Sequence, residues 1–404
     1  MSNIQYQISN LRAEAQSLLE SNILPFWSTR MVDNERGGFY GRIDGHNTLH
    51  PDAEKGAVLN ARILWTFSAA ARMFHKMPYR MMAARAKDYL VNRFIDREYG
   101  GVYWSLNADG TPLDTKKQTY AIAFAIYGLT EYYRATQDSE ALLTAIRLFE
   151  DIEAHAYKSY MINDKMVNGY MEALARNWQS IADMRLSEKD ENGVFTMNTH
   201  LHVLEAYTNL YRVLADVQGD DVQSTKVKVA QQLRALIEIF ATRIYNPSTG
   251  HLGLFFDENW HPSNTHVSPG HDIEAAWLLR EAQAVLDENK KMQKCENEKI
   301  NNTSRRLAIA AWNGILREEE WWCYAEAVVG YLDQYQDNPD PHYLNLVMAA
   351  WDEIQNRFID RAYGEWFWSV LPDGTPDRTH DKAGFWKCPY HNSRMCFELI
   401  ERLK

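Results

Sequence analysis

The sequence predicts an all-α fold, an (α/α)6 barrel in which six helical hairpins close into a toroid with short β-hairpin loops at one end. Three observations predict it. The chain resembles itself: RFIDREYGGVYWSLNADGTP at 93–112 returns as RFIDRAYGEWFWSVLPDGTP at 357–376, and looser copies occur at 32–44 and 243–255. Six segments read as amphipathic helices, and further helical stretches between them carry charge along one face.

Each copy of the repeat is a turn-rich stretch, then glycine, then aromatic residues that suit a short strand. The repeated unit is therefore a helix followed by a short hairpin. The six inner helices are NARILWTFSAAARMF, QTYAIAFAIYGLTEYY, HLHVLEAYTNLYRVL, HDIEAAWLLREAQAVL, EWWCYAEAVVGYLDQY and HNSRMCFELIERL. Outer partners are expected around 79–95, 138–156, 222–243 and 341–358, where Lys, Arg, Glu and Asp recur as a solvated layer requires. Six pairs in 404 residues give roughly 67 residues per pair. An open solenoid is the rival. Uneven spacing of the inner helices and elaborated loops at 158–198 and 245–270 suit a closed barrel better. Length alone allows two or three domains, but a barrel of this size needs one, and residues 1–404 are expected to form a single catalytic domain.

Composition limits the partners. An apolar fraction of 46% supports a large core, and 13 Trp, 22 Tyr and 15 Phe either fill that core or offer faces for sugar rings. The net charge of −11 comes from interleaved acids and bases, which excludes a track for nucleic-acid phosphates. Cys295, Cys323, Cys388 and Cys396 form no CxxC pair and no cluster at zinc spacing, so neither a disulfide framework nor a metal site is expected. The first sixteen residues lack an apolar core, and no stretch approaches the roughly 18 apolar residues that cross a bilayer. The expectation is a soluble, cytoplasmic, monomeric protein without a membrane partner.

The starts of the inner helices carry the chemistry, because the loops gather those positions around one cavity. In chain order they are Arg62, Tyr120, His202, His271, Trp322 with Glu326, and Trp386 with His391. No phosphate loop, nucleotide fingerprint or serine elbow competes with them. His271 and Glu274 stand three residues apart on one helix face, where the carboxylate can orient the imidazole and favour its protonated form, and His202 and Glu205 repeat the spacing. A structural histidine has the same spacing. Pro389 makes the segment before His391 extended, so this histidine opens its helix near the positive end of the dipole, which favours the neutral ring. A neutral His391 as base and a protonated His271 as acid would suit removal of a proton next to a carbonyl; a simple helix cap is the other reading. Arg62, inside an apolar helix, needs either an internal salt bridge or a cavity where an enediolate oxygen can meet it. Trp322 and Trp386 are core residues or stacking platforms, and Asn198 offers hydrogen bonds to hydroxyls.

NTHLHVLEAYTNLYR, GHDIEAAWLLREA, EWWCYAEAVVG and FWKCPYHNSRMCFEL together resemble the N-acylglucosamine 2-epimerase superfamily, most closely its cellobiose 2-epimerase branch, over nearly the whole chain. The resemblance implies the same barrel and epimerisation at C2 of the reducing-end glucose of cellobiose and related β-1,4-linked disaccharides, through a cis-enediolate, with no cofactor. It implies His391 and His271 as the proton-transferring pair, Glu274 as the partner of His271, and Arg62 and His202 near the C1 and C2 oxygens. Trp322 and Trp386 would stack on sugar rings, with Tyr120, Asn198 and Glu326 as further contacts. Cys323 and Tyr324 are looser matches and leave substrate preference open.

Three alternatives remain at this point. One is an epimerase or aldose–ketose isomerase for monosaccharides such as N-acetylglucosamine or mannose, with the same histidines; WKCPYHN and the tryptophans favour a disaccharide. A glycoside hydrolase on the same toroid needs two carboxyls flanking the scissile bond, where this chain offers histidines. A non-catalytic sugar-binding protein has no use for the histidine pair.

Overall fold

A computed structural model of the chain describes residues 3–162, 165–287, 294–315 and 317–404. In chain order the helices are α1 (Asn3–Leu18), the short α2 (Leu24–Thr29), α3 (Ala57–Phe74), α4 (Met77–Tyr89), α5 (Thr119–Thr136), α6 (Ser139–Asp151), α7 (Met197–Asp216), α8 (Asp220–Ile239), α9 (Pro269–Asp287), α10 (Lys294–Ile315), α11 (Trp321–Asp337), α12 (Pro341–Glu353) and α13 (His391–Arg402). Side-chain chemistry separates two layers. α3 is buried without a break from Ala57 to Ala71, whereas α4 buries only Ala83, Ala86, Lys87 and Tyr89. A helix buried all round must sit inside others.

The inner helices form a closed ring, α3 against α5, α5 against α7, α7 against α9, α9 against α11, α11 against α13, and α13 back against α3. Outside it, α4, α6, α8, α10 and α12 each pack on the inner helix that precedes them, and α1 packs on α13. The fold is the expected (α/α)6 barrel, and the open solenoid is excluded. Close approach needs glycine at two places. A β-carbon on Gly128 of α5 would lie 2.8 Å from the Ala61 carbonyl of α3, and one on Gly330 of α11 would lie 2.9 Å from the Ile273 carbonyl of α9.

The repeat acts as a clasp at the pocket end. Five outer segments finish in a π-helical turn, and after two of them, Leu90–Phe94 and Ile354–Phe358, an extended residue leads into an aspartate-headed turn. Asp96 Oδ1 accepts the backbone N–H of Glu98 and Tyr99, and Asp360 Oδ1 that of Ala362 and Tyr363. The other carboxylate oxygen takes a buried lysine: Asp33 takes Lys55 at 2.7 Å, Asp96 takes Lys117 at 2.9 Å and Asp360 takes Lys382 at 2.5 Å. Lys55 and Lys117 stand two residues before α3 and α5, so each ion pair pins the start of an inner helix.

The expected hairpins are smaller than the repeat suggested. Within the copies the pairing is by single bridges, Val32 with Phe39, Ile95 with Val102, Tyr245 with Leu252 and Ile359 with Trp366, and the two longer copies each add a second, Leu106 with Pro112 and Val370 with Pro376. The two-residue strands pair across units instead, Lys55–Gly56 with Ser105–Leu106 and Phe195–Thr196 with Phe255–Phe256. One true hairpin, 157–162 with 165–170, occupies the long loop after α6. Cys323, Cys388 and Cys396 are buried free thiols, and the side chain of Cys295 lies outside the described residues. Among the described residues no helix is long and apolar enough to cross a membrane.

Candidate active site

The N-terminal ends of the inner helices surround a cavity of about 540 Å³ lined by Arg62, Tyr120, Asn198, His202, His271, Glu274, Trp322, Trp386 and His391. The structure thus brings together the residues singled out from the sequence, with one exception. Glu326, expected to touch substrate, is fully buried and stands behind His391 rather than on the cavity wall. Sequence reasoning missed Trp321, Trp368, Glu320 and the segment Leu186–Asp190. A recess of about 190 Å³ shares Asn198 and His271 with the main cavity and reaches Glu172, whose carboxyl burial pushes up to about 7.

Arg62 is a buried cation whose bonds go to neutral groups. Its Nη2 donates to the Tyr120 hydroxyl at 2.8 Å, its Nη1 lies 3.4 Å from Cys388 Sγ, and its Nε has no partner. The guanidinium sits 4.2 Å from the Phe124 ring centroid and 4.5 Å from that of Tyr390. The salt-bridge reading is overturned, and the charge is held ready for an anion.

The three cavity histidines differ in what holds them. His391 Nδ1 donates to Glu326 Oε1 at 2.7 Å, and Glu326 Oε2 accepts the Trp277 indole N–H at 3.0 Å. His202 Nδ1 donates to Glu205 Oε2 at 3.0 Å, as its spacing predicted. His271 does not pair with Glu274. Its Nδ1 lies 2.7 Å from Ser268 Oγ, one turn earlier, while Glu274 is drawn to Arg394 Nη2 at 2.6 Å. The protonated His271 expected from that pairing is therefore also corrected. Burial, with His202 and Arg62 adding to it, lowers His271 to about 3, and burial lowers His202 to about 4 although Glu205 opposes the shift. Burial, with Arg62 and Arg394 nearby, pushes His391 well below its ordinary value. All three shifts favour the neutral ring.

The carboxylates divide in the same way. Burial would raise Glu205, but Arg394 and His202 overcome it and hold it at about 2. Glu274, buried beside Glu326, is pushed up to about 8 although Arg394 opposes the shift, and its Oε2 has no partner. The aromatic wall is tethered by Glu320, which accepts the Trp322 indole N–H at 2.7 Å and the Trp368 indole N–H at 3.2 Å. Trp322 lies between the two proton-carrier candidates, 4.7 Å from the His271 ring and 5.5 Å from that of His391.

Glu274, Glu326 and His391 bring their oxygens and nitrogen within 4.8 Å of one another, a spacing that can hold a metal ion. Here Arg394 Nη2 bonds both carboxylates, at 2.6 and 2.7 Å, so a guanidinium already supplies the positive charge.

A toroid whose helix starts gather buried histidines, an uncompensated arginine and tryptophan faces defines a carbohydrate isomerase, and the chain belongs to the N-acylglucosamine 2-epimerase (GlcNAc 2-epimerase) family, whose pattern matches residues 38–393. It is 49% identical to the cellobiose 2-epimerase of Bacteroides fragilis, over 96% of this chain and 98% of that one, and 40% identical to that of Ruminococcus albus, over 98% of each. The cellobiose 2-epimerase structure from Spirochaeta thermophila superposes with a TM-score of 0.88 at 34% identity, covering 100% of this chain and 99% of that one. That from Bacillus thermoamylovorans gives 0.86 at 36%, covering 98% and 100%.

Proposed function

We propose that the protein is a cellobiose 2-epimerase, which inverts C2 of the reducing-end glucose of cellobiose and related β-1,4-linked disaccharides to give 4-O-β-D-glucosyl-D-mannose and its counterparts. The observation that carries the reading is the placement of two histidines, His271 and His391, and one uncompensated cation, Arg62, on the wall of a single cavity. Identity to cellobiose 2-epimerases of 34–49% over the length of the chain separates it from the N-acylglucosamine 2-epimerases of cattle, mouse and rat, at 22–23%.

In this reading the sugar ring opens, and the C2 proton moves to the bare Nε2 of His391. The bond electrons pass into a cis-enediolate whose oxygen meets Arg62, with His202 and Tyr120 alongside. Glu326 lets His391 carry the charge it gains. Rotation about C2–C3 presents the other face to His271, which is assigned the return of a proton it takes up from solvent, while His391 releases to solvent the proton it received. Trp322 and Trp386 stack on sugar, and Asn198, whose Oδ1 has no protein partner, binds a hydroxyl. The reading includes one catalytic unit spanning 1–404, supported by the contact of α13 with α3 and α1. It includes a cytoplasmic monomer that needs no cofactor or nucleic acid, in keeping with the acidic, interleaved charge.

The test is proton NMR of EDTA-treated protein with cellobiose in heavy water. Glucosylmannose with deuterium at C2 is the expected product. Turnover of N-acetylglucosamine or mannose with cellobiose untouched would defeat the assignment.

A further inference from the structure

Behind the cavity wall one cation meets three carboxylates. Arg394, one turn after His391 on α13, is buried, and it is absent from the cavity lining. Its Nη1 donates to Glu205 Oε1 and contacts the Tyr390 hydroxyl, and its Nη2 donates to Glu274 Oε1 at 2.6 Å and Glu326 Oε1 at 2.7 Å. The guanidinium lies 4.8 Å from the Trp277 ring centroid and 4.4 Å from that of Tyr390. Two of the three carboxylates end on histidines, Glu205 on His202 Nδ1 at 3.0 Å and Glu326 on His391 Nδ1 at 2.7 Å.

We propose that Arg394 is a positioning residue for the epimerisation: by holding Glu205 and Glu326 together it fixes both His202 and His391 as the Nδ1–H tautomer, so that each turns a bare Nε2 to the sugar. The proposal rests on the reading of His391 as a proton carrier. An ionised carboxylate can only accept, so the imidazole nitrogen facing it must bear the hydrogen. Without the guanidinium, Glu205 and Glu326, two carboxylates in one buried cluster beside Glu274, cannot both stay ionised. A protonated Glu326 could then donate to Nδ1, and the hydrogen would move to Nε2, where no C2 proton could be received. Lysine supplies the charge but not the planar fork that spans separate oxygens.

The experiment is nitrogen-15 NMR of histidine-labelled, sugar-free protein, wild type and Arg394→Lys, paired with kcat and KM on cellobiose. His200 is an internal reference, because its Nδ1 donates to the Thr196 carbonyl at 2.7 Å and its Nε2 accepts the Tyr170 N–H at 2.9 Å, both backbone bonds. In the wild type, His200, His202 and His391 should all be Nδ1–H. In Arg394→Lys, His202 or His391 should shift toward Nε2–H while His200 stays, and kcat should fall about 10- to 100-fold with KM nearly unchanged. Unmoved tautomers overturn the proposal whatever kcat does, and so does a moved tautomer with kcat within about twofold of wild type. If Arg394→Lys does not fold, Glu205→Gln and Glu326→Gln replace it. Each should alter its own histidine alone, and two unaltered spectra refute the idea. Because the tautomers are read without sugar, failure here is distinct from failure of the protein to act on cellobiose.

Discussion

His391 and Glu326, 65 residues apart in the chain, meet through a 2.7 Å hydrogen bond between Nδ1 and Oε1. A buried imidazole is costly to charge, and this carboxylate offsets that cost only at the moment a proton arrives. His391→Ala should lower epimerisation at least about a thousandfold while calorimetry still detects sugar binding. Unchanged turnover in that variant would remove His391 from the chemistry.

Arg62 has no carboxylate to leave behind, so its replacement reports on the reaction anion rather than on a broken ion pair. Arg62→Met should reduce kcat about 100- to 1000-fold, with a smaller change in KM. Steady-state kinetics on cellobiose decide this, and a loss confined to KM contradicts the enediolate role.

The acid side of the pH profile follows from the lowered imidazole values. A base works in its neutral form, and a folded-state value below 6.5 keeps that form as pH falls. With His271 at about 3 and His202 at about 4, and His391 also lowered, kcat/KM should show no inflection near 6.5. A titration step at the ordinary histidine value, seen in folded protein, counts against neutral rings.

Glu274 sets the alkaline side. Its carboxyl keeps a proton up to about 8, and the unpartnered Oε2 of this cavity-lining residue can donate to a sugar oxygen only while it does. Activity should decline above about 8, and Glu274→Gln, whose amide donates at every pH, should flatten that decline. A variant as steep as wild type would show that some other group titrates.

The clasps should govern stability rather than turnover. Lys117 and Asp96 are both fully buried at 2.9 Å, and Lys117→Met leaves Asp96 with only Arg176 as a charged partner. A loss of about 3 kcal/mol in denaturant unfolding is expected, with kcat per folded molecule preserved. A change under about 0.5 kcal/mol would mean that the pair merely replaces an apolar contact of equal worth.

The barrel was legible because its signals are local. The 93–112 and 357–376 copies share the aspartate that heads each turn, and the inner helices announce themselves by apolar faces wide enough to need burial on all sides. The cavity residues that were legible were so for a geometric reason, since all but Trp386, which precedes α13, sit in the first two turns of inner helices. Pairings were not, because they are settled between helices. His202 with Glu205 and His271 with Glu274 share one spacing, yet only the first pair forms; Ser268 occupies Nδ1 of His271, and Arg394 from α13 captures Glu274. Arg394 stood three residues beyond His391 in HNSRM, visible but indistinguishable from a surface charge until three carboxylates from α7, α9 and α11 surround it. Trp368 and Glu320 escaped notice because they meet across a single bridge, Glu320 with Ser369, outside any inner helix.

The three buried lysine–aspartate clasps divide the molecule into parts free to change at different rates. They fasten the loop ends to the frame, whereas the rim segment Leu186–Asp190 is fastened by its neighbours, Ser187 bonding Asp190, and by Gln118 reaching the Met184 and Arg185 carbonyls. Exchange of that rim leaves the clasps, and with them the registry of the helix starts, untouched. New sugar preferences are therefore open to this architecture by replacing a short stretch of loop, while its proton-moving interior is inherited unaltered.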